Sequence, residues 1–467
     1  MFPNSLAARL AQAREKFAIC SPTKAFGQVI GVSGLSIEVT GLSGWLSIGD
    51  HLSLQSRDGN QVAGEVIGFR AGHASVMAYA SLGGLGPGSP ACMEPRWNDW
   101  AFASKPGHLA VSDQWLGRVI APNAQPLDNK GPLPTGANSR PIHAAPPDAT
   151  LRARLGPRVD LGVRVLNIFT PTRHGQRLGL FAGSGVGKST LLAMLARYTE
   201  CDVAVVALVG ERGREVREFI EDELGDDGLK RAVVVVATSD TPPLMRREAA
   251  YTAMTVAEHF RDEGKKVLLL MDSVTRFCSA LREIALSIGE PPANRGYPPS
   301  VFAELPRLLE RAGPGLDQPG LPAGQITALF TVLVDGDDHN EPVADAIRGI
   351  LDGHIKLDRR IGEAGRYPAV DILGSLSRTA GSCLNETEAQ VARRSRAIMS
   401  LWKDMGEMVR LGVYRTGSDA AVEEAIQLVP KIEEILTQSK LDRTDFTDSF
   451  AQMAKILEPN HASQTTH

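Results

Sequence analysis

The chain has 467 residues, a net charge of −4, 43% hydrophobic residues and 22% charged residues. That length supports two or three domains with their own cores, and the composition is that of a soluble globular protein. The slight acidity argues against a broad basic surface built for nucleic acid, though not against a local basic lining. The five cysteines (Cys20, Cys92, Cys201, Cys278 and Cys383) are scattered without C-x-x-C spacing. They argue for a reducing compartment and against a disulfide framework or zinc site built on cysteine. No apolar segment precedes a small-residue cleavage site at the N-terminus, and no apolar run is long enough to span a bilayer. A cytoplasmic location is expected.

Ser5 to Phe17 has helical spacing. Leu6, Leu10, Ala13 and Phe17 form one apolar stripe, and Arg9, Arg14, Glu15 and Lys16 lie mostly off it. Such a helix either docks on its own domain or is offered to a partner. From about Gly27 to "GGLGPGSP", short β-type runs alternate with Gly, Asp-Gly and Asn, which predicts a small antiparallel barrel or sandwich. Ala121–Pro147 is rich in Pro, Gly and Asn and reads as loop and linker. Nearly continuous apolar runs then alternate with helical segments. Arg177–Phe181, Val203–Val209, Ala232–Ala237, Val267–Met271 and Ile326–Val334 are the expected strands of a parallel sheet covered on both faces. From Asn385 to Leu457 the sequence is helical, with Ser418-Asp419 expected to cap a helix after a Gly break. The tail "EPNHASQTTH" is polar.

The stretch "LGLFAGSGVGKSTLLAMLAR" carries strand, glycine loop, Lys-Ser and helix in that order. A loop of this kind aims backbone N–H groups and a helix N-terminus at one anion. Gly183, Ser184, Gly185, Val186 and Gly187 would cradle phosphates. Lys188 would reach the β- and γ-phosphates, Ser189 would bind Mg²⁺, and Thr190 would support the phosphate side. Ala182 stands where the G-x-x-x-x-G-K-[ST] pattern has its first glycine. Negative φ and a methyl pointing away from the phosphates are expected there. The strand Val267–Met271 delivers Asp272 at its C-terminal end, suited to the Mg²⁺ shell. The strand before Gly210 presents Glu211 and Arg212. They read either as a carboxylate that activates water beside the γ-phosphate, with its neighbour, or as a surface ion pair.

Together these motifs resemble the rotary-type ATPase family, which comprises ATP synthase catalytic subunits and the export ATPases of flagella and type III secretion. "RYPAVDILGSLSRTA" fits the family signature at Pro368, Ala369, Val370, Asp371, Ser375 and Ser377. "GYPPSVFAELPRLLERAG" and "TVLVDGDDHNEPVADAIRGILDGHI" look most like the export branch, in which the first loop position is often Ala. The resemblance implies an α/β fold: a RecA-like parallel-sheet P-loop domain preceded by a small β-barrel and followed by a helical C-terminal domain. The segments are then 1–20 (partner-binding helix), 21–95 (barrel), 96–383 (ATPase domain) and 384–467 (helical domain).

The resemblance also implies ATP and Mg²⁺ as ligands. It makes Glu211 the catalytic carboxylate, Arg212 and Arg276 γ-phosphate-side arginines, Tyr367 the aromatic on adenine, and Arg378 a finger into the neighbouring subunit's site. Asn167 departs from the family's usual Asp but keeps an acceptor. The implied assembly is a homohexamer, peripheral at the inner face of the cytoplasmic membrane. Its implied partners are a cytoplasmic regulator on the N-terminal helix, a central stalk, an export gate and chaperone–substrate complexes.

Flagellar export is favoured over virulence secretion. An ATP synthase subunit would need a companion chain. A ring helicase would need aromatics and basic residues in the barrel, where only Phe26, Trp45, Phe69 and Tyr79, and Lys24, Arg57 and Arg70, occur besides His51 and His73. Nucleic acid is therefore not an expected partner. An inactive structural subunit is the remaining alternative.

Overall fold

The computed structural model describes residues 25–93, 107–183, 185–317, 323–334, 341–415 and 417–458. The predicted N-terminal helix, Ser184, the "DGDDHN" stretch and the polar tail beyond Glu458 lie outside these residues.

Six strands close a barrel: β1 (Ala25–Ser33), β2 (Ser36–Thr40), β3 (His51–Gln55), β4 (Gln61–Arg70), β5 (His73–Ala78) and β6 (Pro90–Met93), in the order β1-β2-β5-β4-β3-β6. Closure leaves no open sheet edge. Alternating residues such as Ile37 and Val39 fill a core of their own with Leu52, Leu54, Val66 and Val76.

The second sheet has nine strands. Its main path uses β7 (Arg118–Ile120), β8 (Arg177–Ala182), β9 (Val203–Glu211), β10 (Ala232–Thr238), β11 (Lys266–Asp272), β12 (Gln325–Leu333), β13 (Gly353–Lys356) and β14 (Leu376–Ser377). They lie in the order β14-β13-β8-β12-β11-β9-β10-β7, and a two-residue strand, Gly313–Pro314, pairs with β12. From β13 to β7 every pairing on the path is parallel. All five apolar runs of the sequence are strands here.

Side-chain alternation sends one strand into two cores. Val203, Val205, Ala207 and Val209 pack under α2 (Pro243–Asp262) and α3 (Val274–Ser287). Ala204, Val206 and Leu208 face α1 (Lys188–Tyr198) and the C-terminal helices. Those helices are α4 (Glu386–Arg410), α5 (Ala420–Leu436) and α6 (Phe446–Leu457). Asn385 and Glu388 form a capping box, and Asp419 and Asp445 cap the next two helices, so each start satisfies its first N–H groups locally. Val429, Ile432, Phe450 and Met453 share the core of α1. Truncating such a side chain to Ala costs about 2–5 kcal/mol.

Barrel and sheet domain meet through buried polar side chains. Arg247 of α2 donates to Glu65 of the barrel at 2.5 Å and to Glu248 at 2.6 Å. Tyr79 donates to Glu65 at 2.5 Å, and His143 meets Glu248 at 3.1 Å. These residues line a cavity of about 750 Å³ between the domains, away from the phosphate loop. Tyr79 is thus buried, whereas Phe26, Trp45 and Phe69 are exposed. No helix among the described residues is long and apolar enough to cross a membrane.

Candidate nucleotide site

The phosphate loop joins β8 to α1. Gly185 (φ 76°) and Gly187 (φ 86°) use left-handed backbone that other residues rarely adopt. Gly187 caps α1, and a Cβ there would meet the Tyr367 ring at 3.3 Å. Ala182 ends β8, is fully buried, and is not among the non-glycine residues with positive φ. Its methyl lies in the core beneath the loop with Leu178 and Leu180, as expected from the sequence. Val186 is buried in that core too, so only its backbone can face a phosphate. Ser189 is exposed in the first turn of α1.

The C-terminal ends of three parallel strands converge beside this loop, where open α/β sheets carry their ligands. Lys188 Nζ lies 2.5 Å from Asp272 Oδ1 at the end of β11 and 3.2 Å from Glu211 Oε1 at the end of β9. Thr331 Oγ1 donates to the same Asp272 oxygen at 2.7 Å and so fixes it. Burial pulls the Lys188 ammonium down, but the two carboxylates more than offset this and hold its pKa above the ordinary value. Burial, reinforced by the Asp272 carboxylate, pushes the Glu211 carboxyl up to about 7 against the opposing pull of Lys188. Glu211 is therefore poised near neutral pH, as a general base should be.

Gly210 makes this geometry possible. Its φ of 70° coincides with a register shift in β9, and a Cβ there would strike the Arg276 stem at 3.0 Å. Arg276 is exposed in the first turn of α3, whose N-cap Ser273 accepts its backbone N–H. Arg212 begins the short helix Gly213–Glu218 and extends into solvent, 3.2 Å from Glu215. Tyr367 is 47% exposed beside Gly187. The C-terminal helices hold its segment. Gln438 N–H donates to Tyr367 O at 2.8 Å, and Glu433 pairs with Arg366 at 2.5 Å.

Lys188, Glu211 and Asp272 thus meet directly, with Ser189, Arg276 and Tyr367 around the loop. Arg378 does not join them. It follows β14, and its N–H donates to Asp352 O, whose own N–H donates to Arg177 O at the start of β8. The length of β8, about 17 Å at 3.3 Å per residue, separates that end from the loop. The other signature residues build this part of the sheet. Ser377 Oγ donates to Pro171 O and Ser375 Oγ to Asp371 O.

Sequence reasoning missed Thr331, Gly210 and Gln438. A lone threonine inside "ALFTVLV" was the available signal for the first. Asn167 is fully buried, accepts from Leu161 N–H at 3.1 Å and donates to Asp160 Oδ1 at 2.8 Å. It keeps the acceptor role and adds a donation that an aspartate could not make.

A barrel, a parallel sheet and a phosphate loop whose lysine bridges two strand-end carboxylates define a P-loop nucleotide hydrolase. Residues 162–377 match the nucleotide-binding domain of the ATP synthase alpha/beta family, and residues 384–455 match the C-terminal domain of the type III secretion ATPase EscN. The flagellum-specific ATP synthase of Caulobacter vibrioides is 50% identical over 441 residues, covering 94% of this chain and 97% of that protein. That of Salmonella typhimurium is 43% identical, covering 95% and 96%. The assembled ATPase EscN of enteropathogenic E. coli superimposes with a TM-score of 0.82 at 36% identity, over 92% of this chain and 100% of that one. The chain belongs to the ATP synthase alpha/beta family, in its flagellar and type III secretion export branch, and is an ATP-hydrolysing enzyme.

Proposed function

We propose that this chain is a Mg²⁺-dependent ATPase that works as a homohexameric ring and energises protein export through a flagellar type III apparatus. The observation that carries the catalytic reading is Lys188 held between Glu211 and Asp272 at the strand ends beside the loop. ATP phosphates compete for Lys188 and release Glu211 to take a proton from the attacking water. Ser189 and Asp272 are hard oxygen donors that suit Mg²⁺ and would hold it, where it neutralises charge on the phosphate oxygens. Gly183, Ser184, Gly185, Val186, Gly187 and Thr190 serve the phosphates through backbone and hydroxyl groups. Tyr367 packs on adenine. Arg276 and Arg212 spread developing charge on the γ-phosphate.

Arg378 serves the neighbouring subunit. Its exposure at the far end of the sheet from its own loop supports a role in trans. The solved complex of EscN with its central stalk EscO, TM-score 0.80 to this chain, supports a ring with a stalk partner. Curated flagellar relatives at 40% to 50% identity over 92% or more of this chain, against 36% for assembled EscN over 92%, favour the flagellar system over the virulence one. The remaining proposed partners are a regulator on the N-terminal segment, an export gate and chaperone–substrate complexes, with the ring peripheral at the cytoplasmic membrane. In a strain lacking the chromosomal copy, wild type restores filament export and swimming, and Glu211→Gln assembles without restoring either. Full restoration by Glu211→Gln together with wild-type ATP turnover would overturn the catalytic reading.

A further inference from the structure

We infer that Asp113, His259 and Glu263 form a binding site for a first-row divalent cation such as Zn²⁺, separate from the nucleotide site. His259 lies in the last turn of α2, Glu263 caps that helix, and Asp113 opens a 3₁₀ turn, Asp113–Trp115, capped by Ser112. His259 Nε2 is 3.0 Å from Asp113 Oδ1 and 3.4 Å from Glu263 Oε1. All three donors lie within 4.8 Å of one another, and no other group of three His, Cys, Asp or Glu among the described residues meets that criterion. Tetrahedral Zn²⁺ with bonds of about 2.0–2.1 Å sets its ligand atoms about 3.3 Å apart. Two of the three separations already match, and the third lies within 4.8 Å.

The imidazole itself points to a ligand. The His259 side chain is only 10% exposed, and the Phe260 ring stands edge-on against it at 5.1 Å. Its Nε2 faces both carboxylates, yet a neutral imidazole has one proton at most to offer there and cannot serve two acceptors well. A cation at the shared point satisfies all three groups. The two carboxylates also crowd each other within 4.8 Å. The nearby Arg140 guanidinium is committed to Asp262 at 2.5 Å. Three protein ligands leave a fourth position for water. A metal here would tie the end of α2 to the turn leading into the edge strand β7. The other end of α2 carries Arg247 into the barrel contact, so the tie would stiffen the helix that links the two domains.

Zn²⁺ calorimetry and Co²⁺ absorption on the full-length, nucleotide-free protein test this. We expect one saturable site with tetrahedral Co²⁺ bands and no thiolate charge-transfer band. Asp113→Asn and His259→Gln each weaken it by on the order of tenfold or more, the scale on which metal sites respond to lost supporting groups. Asp272→Asn leaves it unchanged, and Mg²⁺-ATP turnover survives Asp113→Asn. If His259→Gln fails to fold, Asp113→Asn and Glu263→Gln, both at exposed positions, carry the test. Absence of saturable binding, binding that survives these substitutions, or a thiolate band would overturn the proposal. The cluster would then be a histidine bridging two acids, or the metal would sit on cysteine.

Discussion

Lys188 Nζ lies 2.5 Å from Asp272 Oδ1, and Thr331 holds the same oxygen from the other side at 2.7 Å. Without nucleotide, the loop lysine is satisfied by the carboxylates that we propose serve Mg²⁺ and water. Replacing it leaves two buried acids without their cation, a cost of several kcal/mol in a dry setting. Lys188→Ala should therefore abolish turnover, and it should also raise the apparent pKa of Glu211. Loss of turnover with an unchanged pH profile of the remaining nucleotide binding would contradict the coupling.

Glu211 makes a pH prediction with a definite sign. Its carboxyl sits near 7 in the nucleotide-free protein, against an ordinary value of 4.5. As a base it works when deprotonated, so kcat/KM, which reports the free enzyme, should rise through pH 7 to a plateau. Stability runs the other way. Because the folded protein holds this proton more tightly than the unfolded chain, the contribution is fully present below pH 4.5 and is lost as pH rises through about 7. Urea midpoints of wild type and Glu211→Gln should therefore diverge over that window, with wild type falling relative to the variant. Parallel midpoints across it would sink the assignment.

Asn167 is a site where the expected family residue should be the worse one. Asn167→Asp keeps the bond to Leu161 N–H but sets a carboxylate against Asp160, the present partner at 2.8 Å. Losing a buried hydrogen bond and adding repulsion should cost about 1–3 kcal/mol. The double change Asn167→Asp with Asp160→Asn should recover most of it. Denaturant unfolding of wild type and the two variants checks this, and an unchanged midpoint in Asn167→Asp contradicts it.

Gln438 connects the helical domain to Tyr367. Its backbone holds the Tyr367 carbonyl, and its side chain donates to Gly162 O and Asp442 O and accepts Arg164 N–H. Gln438→Ala should loosen this corner and raise KM for ATP severalfold with little change in kcat. A fall in kcat at constant KM would show that the corner acts on the chemistry rather than on nucleotide binding.

Much of this was legible in the sequence, for physical reasons. A strand covered on both faces must be apolar throughout, so β8 through β12 were readable as continuous runs. The phosphate loop, Glu211 and Asp272 are local to strand ends and were readable with them. Strands of two to four residues, such as β7, β13 and β14, have no period to detect. The ion pair between Arg247 and Glu65 joins residues 182 apart, and nothing local in the sequence records it. Tyr367 could be named from its motif, but Gln438, which holds it, lies at the end of a helix in another domain.

In the proposed ring, two copies share each active site, with Glu211 and Lys188 from one and Arg378 from the next. Mixing Glu211→Gln chains with Arg378→Ala chains, each inactive alone in assembled rings, tests it most directly. Interfaces in which an Arg378→Ala subunit supplies Glu211 and its Glu211→Gln neighbour supplies Arg378 are complete, so ATP turnover should reappear on mixing. The doubly substituted chain mixed with either single variant should stay silent. If the two single variants co-assemble, as native mass spectrometry would show, and no turnover returns, Arg378 does not act across the interface.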